Sequence, residues 1–332
     1  MHSSKAKLKQ RADRAFVGIP SFLRSRICTN IDALNADIAV VGVPTDEGSP
    51  FMAGSRFGPR AIREHSLRFA GRGLYDVSTG RQFLQFEMEN DRIADVGDVD
   101  ILPTNVVETF ENITDTISAI VDRDVFPVIL GGDHSISFPV LRSFKTALCV
   151  VQFDAHLDYA PVAGGLEFTN GHPFRHIRKL PNVKKLIQIG IRSLRNTREQ
   201  MEDSQRDGNR VVTMDEFQST PFADLLQYVP SDLPCYVSID IDALDMSLVP
   251  GCVSAEPNGM SYKELSSALA QLARRNEILG FDLVEVNPQL DVGTQTTSYL
   301  AAHMIIDFLG HICDQPWWAS RRGTRSTREA SP

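Results

Sequence analysis
The amino-acid sequence predicts an α/β protein with a central, mostly parallel sheet covered on both faces by helices. Two patterns predict it. Short apolar runs rich in β-branched residues alternate with longer stretches whose apolar residues recur at helical spacing, the mark of βαβ units. Runs such as Ile38–Val43 and Leu148–Phe153 suit strands buried on both faces. With 332 residues, 42% hydrophobic and 23% charged, the chain can build a sizeable core. No repeat, low-complexity linker or shift of composition divides it. The expected organisation is an N-terminal extension over 1–15, a single domain over 16–315 and a polar, mobile tail over 316–332.

Ile38–Val43 reads as a buried strand. Pro59 then sits in the first turn of a helix over Pro59–Ser66, where its missing N–H is tolerated. Val106 to Val121 carries apolar residues at helical spacing. Pro127 stands at the entrance of a strand over Val128–Leu130. A short helix follows over Phe138–Phe144. Strands are expected at Leu148–Phe153, Lys185–Gly190 and Cys235–Ile239. Tyr262–Arg275 is an amphipathic helix, with Ser261 and Glu264 spaced as a capping box. A strand over Ile278–Val284 and a helix over Thr297–Ile312 close the domain.

The net charge of −8 argues against a nucleic-acid partner. No apolar stretch approaches the ~18 to 20 residues of a membrane helix, and the charged N-terminus lacks the apolar stretch of a secretory signal. The five cysteines have no Cys-x-x-Cys spacing, and Cys149 and Cys235 lie inside apolar runs. A reducing cytoplasm follows as the expected compartment. The basic segment Arg321–Pro332 reads as a solvated end.

Three polar segments each end an apolar run: Gly131-Gly132-Asp133-His134, Asp154-Ala155-His156-Leu157-Asp158 and Asp240-Ile241-Asp242. In an open parallel sheet, ligands bind beyond the carboxyl ends of the strands. The i, i+2, i+4 spacing in an extended segment puts Asp154, His156 and Asp158 on one side, and Asp240 with Asp242 likewise. Alone, an Asp-x-Asp more often caps a turn, paired glycines mark a loop, and His134 would more often be a satisfied polar residue. Together the segments bring four carboxylates and two imidazoles to one end of the sheet. Such carboxylates repel one another unless cations lie between them. Oxygen and imidazole donors suit manganese, with nickel, cobalt or zinc as alternatives. Two such ions roughly 3.5 to 4 Å apart can activate a shared water near neutral pH.

These segments resemble those of the ureohydrolase family of arginases, agmatinases and their relatives. The likeness extends to Gly18–Leu23, Gly42–Asp46, Gly54–Arg63, Asp95–Asp98, Gln188–Arg192, Val249–Gly251 and Asp282–Pro288, and so runs from about Gly18 to Leu309. The resemblance implies a three-layer α/β/α fold, two manganese ions, a homo-oligomer (trimer or hexamer) and hydrolysis of a small guanidino substrate to urea and an amine. It implies that His134, Asp154, His156, Asp158, Asp240 and Asp242 hold the metals. Asp158 would also pass a proton to the leaving amine, and Glu285 would pair with the guanidinium. Asn170 stands where agmatinases carry a catalytic histidine. It can hydrogen-bond substrate but not titrate near neutrality, and His172 either takes over that role or is an ordinary loop histidine. Met52 and Phe51 either line an apolar mouth or pack within their loop. No arginine in the sequence is clearly placed to meet a substrate carboxylate. Agmatine is the default substrate, with guanidinobutyrate, guanidinopropionate or a small or alkylated guanidine as rivals. The other expectations are a non-catalytic subunit of a hetero-oligomer and a formimidoylglutamate hydrolase.

Overall fold
The computed structural model describes residues 14–71 and 73–321. The expected extension over 1–15 thus lies almost wholly outside the described residues, as does the tail from 322. Eleven strands form within the described residues: β1 (Arg26–Ile27), β2 (Ile38–Val43), β3 (Leu74–Asp76), β4 (Arg81–Phe83), β5 (Ile93–Asp98), β6 (Phe126–Gly131), β7 (Leu148–Phe153), β8 (Val183–Ile191), β9 (Arg210–Thr213), β10 (Cys235–Asp240) and β11 (Ile278–Val284). Nine make one sheet in the order β1-β5-β2-β6-β11-β10-β7-β8-β9. Every pairing in it is parallel. β3 and β4 form a separate antiparallel hairpin.

Alternation along the strands builds two cores. Val40, Val128, Leu130, Val151, Phe153, Val237 and Ile239 face one side, where they meet Leu265, Leu269, Leu272, Ile305 and Phe308. Those partners come from the helices Tyr262–Arg275 and Thr296–Cys313. Ala39, Val41, Ile129, Val150 and Tyr236 face the other side, against Phe110, Ile113 and Ile117 of the helix Val106–Val121. The result is the three-layer arrangement expected. Ser261 and Glu264 make the expected reciprocal cap, and Asn105 caps the helix that follows it by accepting from the Glu108 N–H.

Sequence pattern leaves β1, β5 and β9 unassigned. β1 has only two residues. β5 mixes Asp95, Gly97 and Asp98 into its apolar run, a composition that argues against a buried strand. Arg63, on the helix Gly58–Ser66, removes that objection. Its Nε donates to Asp95 at 2.8 Å and its Nη1 to Asp98 at 2.6 Å, while the Phe22 N–H also donates to Asp95 at 2.8 Å. A buried charge so paired is tolerated in the layer.

The C-terminal boundary expected at 315 falls too early. Residues 316–321 are helical, and Trp318 is only 1% exposed. Its ring meets Phe126 edge-on at 5.4 Å, and its Nε1 donates to Glu87 at 2.9 Å. Trp317 donates to the Ala273 carbonyl at 3.1 Å. Two indoles bury enough apolar area to hold this turn on the core despite its polar neighbours.

The topology matters most at the strand ends. β6 and β7 are consecutive in the chain, but β11 and β10 lie between them. The last two strands therefore fill the middle of the sheet, and the carboxyl ends of β6, β11, β10 and β7 become neighbours. Trp318→Ala is expected to cost about 3 to 5 kcal/mol, read as a lower denaturant midpoint. An unchanged midpoint would mean that the 316–321 turn is not docked on the core.

Candidate metal centre
Each neighbouring strand end turns a polar side chain inward by a local device. After β6, Gly132 lies so close to Thr45 that a Cβ would stand 1.8 Å from the Thr45 carbonyl oxygen. The Asp133 side chain then accepts from the Ser135 N–H and caps the short turn that begins with His134. After β10, Asp240 accepts from the Asp242 N–H at 2.8 Å. After β11, Glu285 adopts a left-handed backbone with φ of 65°.

The segment after β7 reaches its result by a different route from the one its spacing suggests. Asp154 to Asp158 is a bent loop rather than an extended strand. The His156 N–H folds back onto Asp154 at 2.5 Å, and Asp158 has φ of 46°. Left-handed non-glycine residues such as Asp158 and Glu285 concentrate at functional sites. Asp154, His156 and Asp158 converge, as expected, but through turns rather than strand alternation.

All six expected ligands meet. His134 Nδ1 lies 3.1 Å from Asp154 Oδ2, 3.1 Å from Asp158 Oδ2 and 3.2 Å from Asp240 Oδ2. His156 Nδ1 lies 3.0 Å from Asp242 Oδ2 and 3.4 Å from Asp154 Oδ1. Asp154 thus offers one oxygen to each half of the cluster. Donor atoms of His134, Asp154 and Asp158 lie within 4.8 Å of one another, as do those of Asp154, His156 and Asp242.

The donor set fits cations. His134 Nε2 lies 2.9 Å from Ser238 Oγ, and Ser238 donates onward to Asp282 Oδ1 at 2.7 Å. Ser238 has spent its proton on Asp282, so Nε2 must be the donor to it. Nδ1 is left facing three carboxylates, yet it is buried without a hydrogen-bond partner. Asp242 Oδ2 is likewise buried without one. Burial, reinforced by Asp242 and Asp154, raises the Asp240 carboxyl well above the usual range. Burial and the charge of Asp154 push Asp158 up to about 6. The pocket demands positive charge between these side chains, and two divalent ions supply it for four aspartates.

Sequence reasoning missed the supporting shell. Ser137 and Tyr236 both donate to Asp282 Oδ2 at 2.8 Å. Gln152 donates to Asp154 at 2.7 Å and is itself held by Gln188 at 2.7 Å. Such partners orient ligands and fix tautomers. All but Ser137, which opens a helix, are strand residues, and in sequence they are indistinguishable from other buried polar groups. Cys252 was also missed as a neighbour: it joins Asp240 and Asp242 in a third close group of donor atoms.

A cleft opens beside the cluster, lined in part by His156, Asp158, Asn170, Asp240 and Glu285. Glu285 Oε1 accepts from the His134 N–H at 3.0 Å and from Asn170 Nδ2 at 3.1 Å. Burial and the nearby Asp133 charge push Glu285 up to about 8, so it too favours a cationic partner. Asn170 sits at the site as expected. His172 does not. Its Nδ1 bonds Thr169 Oγ1 at 2.6 Å and its Nε2 bonds the Pro161 carbonyl at 3.3 Å. Both nitrogens are spent within the loop, which leaves the ordinary loop histidine of the two alternatives. Met52 is 44% exposed and Phe51 79%, and neither lines the cleft. Of the two alternatives for this pair, the apolar mouth is the one their placement does not support. Arg195 does line the cleft, contrary to the expectation that no arginine is placed there.

The model of the arginase family matches residues 36–310. A human mitochondrial guanidino acid hydrolase is 33% identical over 88% of this chain and 82% of its own. An agmatinase of Pyrococcus horikoshii is 32% identical over 84% of this chain and 93% of its own. The solved proclavaminate amidino hydrolase of Streptomyces clavuligerus superposes with a TM-score of 0.81 at 28% identity, covering 90% of this chain and 98% of that one.

Manganese at about 100 times its dissociation constant is expected to stabilise the fold by about 2.7 kcal/mol, seen as a rise in melting temperature that a chelator reverses. Asp154→Ala, which removes an oxygen from each half, should abolish the rise. A melting temperature indifferent to manganese, nickel and cobalt would count against the metal centre.

Proposed function
The chain belongs to the arginase family, hydrolases of C–N bonds in amidines and guanidines, and from that premise we propose that it cleaves a guanidino compound to urea and an amine in agmatinase-like fashion. The carrying observation is that Glu285 lines one cleft together with His156, Asp158 and Asp240 of the six-residue cluster. His134, Asp154, Asp158, His156, Asp240 and Asp242 would hold two divalent cations, manganese first and nickel or cobalt as alternatives. When bound, such a pair supplies Lewis-acid activation of water near neutral pH.

The chain's own residues do the rest. Four aspartates balance the charge of two divalent ions. Glu285 is then the surplus carboxylate, and it complements one guanidinium. A planar cation with several N–H donors pairs with a carboxylate through more than one bond. Asn170 and the His134 N–H hold Oε1 of Glu285 in place, which fixes where the guanidinium rests. Asp158 lines the cleft with its Oδ2 on the cluster side. From there it would accept a proton from the attacking water and return it to the departing amine. Asn170 would assist as a hydrogen-bonding group that does not titrate.

The chain is also proposed to work as a homo-oligomer, a trimer or hexamer, on family grounds. A cytoplasmic location is proposed because all five cysteines are unpaired, as a reducing compartment would keep them. No helix among the described residues is long and apolar enough to cross a membrane.

Urea release is the deciding assay, with manganese-loaded protein and a panel of agmatine, 4-guanidinobutyrate, 3-guanidinopropionate and guanidine. Release of formamide from formimidoylglutamate, with no urea from the panel, would replace this proposal. Glu285→Gln is expected to lower kcat/KM by roughly 100-fold or more while keeping the metal content. His156→Ala is expected to lose about one of the two metal equivalents, measured on the purified protein. Full metal retention in that variant would remove His156 from the ligand set.

A further inference from the structure
We propose that Arg195 binds a carboxylate on the substrate, so that the chain prefers a guanidino acid to a guanidino amine such as agmatine. The proposal deepens the hydrolase assignment and rests on it. Among the described residues that line the cleft, Arg195 is the one lysine or arginine. Its side chain is 57% exposed, so a ligand in the cleft can reach it. It sits on the loop that follows β8, beside the cluster rather than in it.

The present partners of Arg195 show how it becomes available. Its Nη2 lies 2.8 Å from His156 Nε2, a contact in which the ring nitrogen must accept. That arrangement holds only while the ring proton is on Nδ1. If Nδ1 turns its lone pair to a cation, Nε2 keeps the proton and two donors face each other. Glu256 is the acceptor at hand, with Oε1 at 3.5 Å from His156 Nε2. With a cation held at Nδ1, His156 would share Glu256 with Arg195 and Ser193, the carboxylate–histidine pairing usual behind a metal, and Arg195 would lose its ring acceptor. Its Nε and Nη2 still bond Glu256 at 3.1 and 3.0 Å, and Nη2 bonds the Ser254 carbonyl at 2.8 Å. These bonds hold the stem and one edge. Nη1 has only the Ser254 hydroxyl at 3.5 Å. Both N–H groups of Nη2 are thus held by Glu256 and the Ser254 carbonyl, and those of Nη1 are the donors left for a carboxylate.

An ammonium at the same place would meet Arg195 as a like charge. Glu256 offsets that repulsion little, because its negative charge is already paired with Arg195 itself. The part of the cleft beside Arg195 therefore favours a tail of negative charge.

The products are stable probes of the tail, because neither is turned over. On manganese-loaded protein, calorimetry should find 4-aminobutyrate bound more tightly than 1,4-diaminobutane. Arg195→Gln should weaken 4-aminobutyrate by about 10- to 100-fold and erase the preference, and Arg195→Lys should restore part of it. Urea release should show the same split in KM between 4-guanidinobutyrate and agmatine. Equal weakening of both products by Arg195→Gln, or tighter binding of 1,4-diaminobutane by the unaltered protein, overturns the carboxylate anchor. If agmatine yields urea at least as efficiently as every guanidino acid, the anchor fails while the hydrolase assignment stands. If no guanidino compound yields urea, the hydrolase assignment fails first.

Discussion
Burial of like charge is the constraint on which this structure depends. Asp154, Asp240 and Asp242 are almost wholly removed from solvent, and Asp158 stands against them. Four ionised carboxylates so close together, in a medium of low dielectric, would oppose folding strongly. The protein answers with two imidazoles aimed at the carboxylate oxygens and with a rigid shell that keeps them aimed there. Ser238, Asp282 and Tyr236 hold His134, and Gln152 with Gln188 holds Asp154. What remains is a demand for positive charge that a pair of divalent cations meets. Glu285 lines the cleft beside them, and on the function proposed it would extend the same demand to a cationic substrate. On that proposal, binding and catalysis would draw on one electrostatic imbalance.

The fold makes that imbalance sustainable. The site sits at the carboxyl ends of four adjacent strands, buried along nearly their whole length and packed by apolar layers on both faces. Strand ends so supported move little, which suits a centre that needs several atoms placed at once. The left-handed backbones of Asp158 and Glu285 are strained features that this packing can hold. The first loop joins in: the Gly48 N–H donates to Asp133 at 2.7 Å, and its carbonyl accepts from the Asn170 N–H at 3.1 Å. The segment carrying Asn170 is thereby tied to the turn carrying His134. A Cβ at Gly48 would stand 2.8 Å from Asp133 and 2.9 Å from the Asn170 nitrogen, so the close approach requires glycine there.

Selectivity, on the proposal made for Arg195, would lie in loops rather than at the strand ends. Arg195 and Glu256 come from loops after β8 and β10, and Arg195 is half exposed. The relatives carry names with differing substrates, from agmatinase to guanidino acid hydrolase, at similar identity. A shared metal-binding frame with varied loops accounts for that pattern in physical terms: the frame fixes the chemistry of the guanidino group, and the loops meet whatever the rest of the substrate carries.

The sequence by itself determined the layer architecture, most of the strands and all six donors of the cluster. Apolar runs of β-branched residues and the sharp polar segments that end them are local signals, readable without coordinates. β5 escaped because its aspartates are neutralised by Arg63, more than thirty residues away in the chain. The 316–321 turn escaped because two tryptophans outweigh a polar composition only where Phe126, Ala273 and Glu87 happen to lie. His172 and Met52 were legible as loop residues, but not the direction in which each side chain turns. Arg195 was invisible as a site residue, since nothing in its neighbours along the chain distinguishes it from any surface arginine. Only the tertiary structure decided these points. Strand and helix periodicity follow from neighbours a few residues apart. Which charges meet across a cleft depends on how β10 and β11 slot between β6 and β7, and that placement is fixed by packing of the whole sheet.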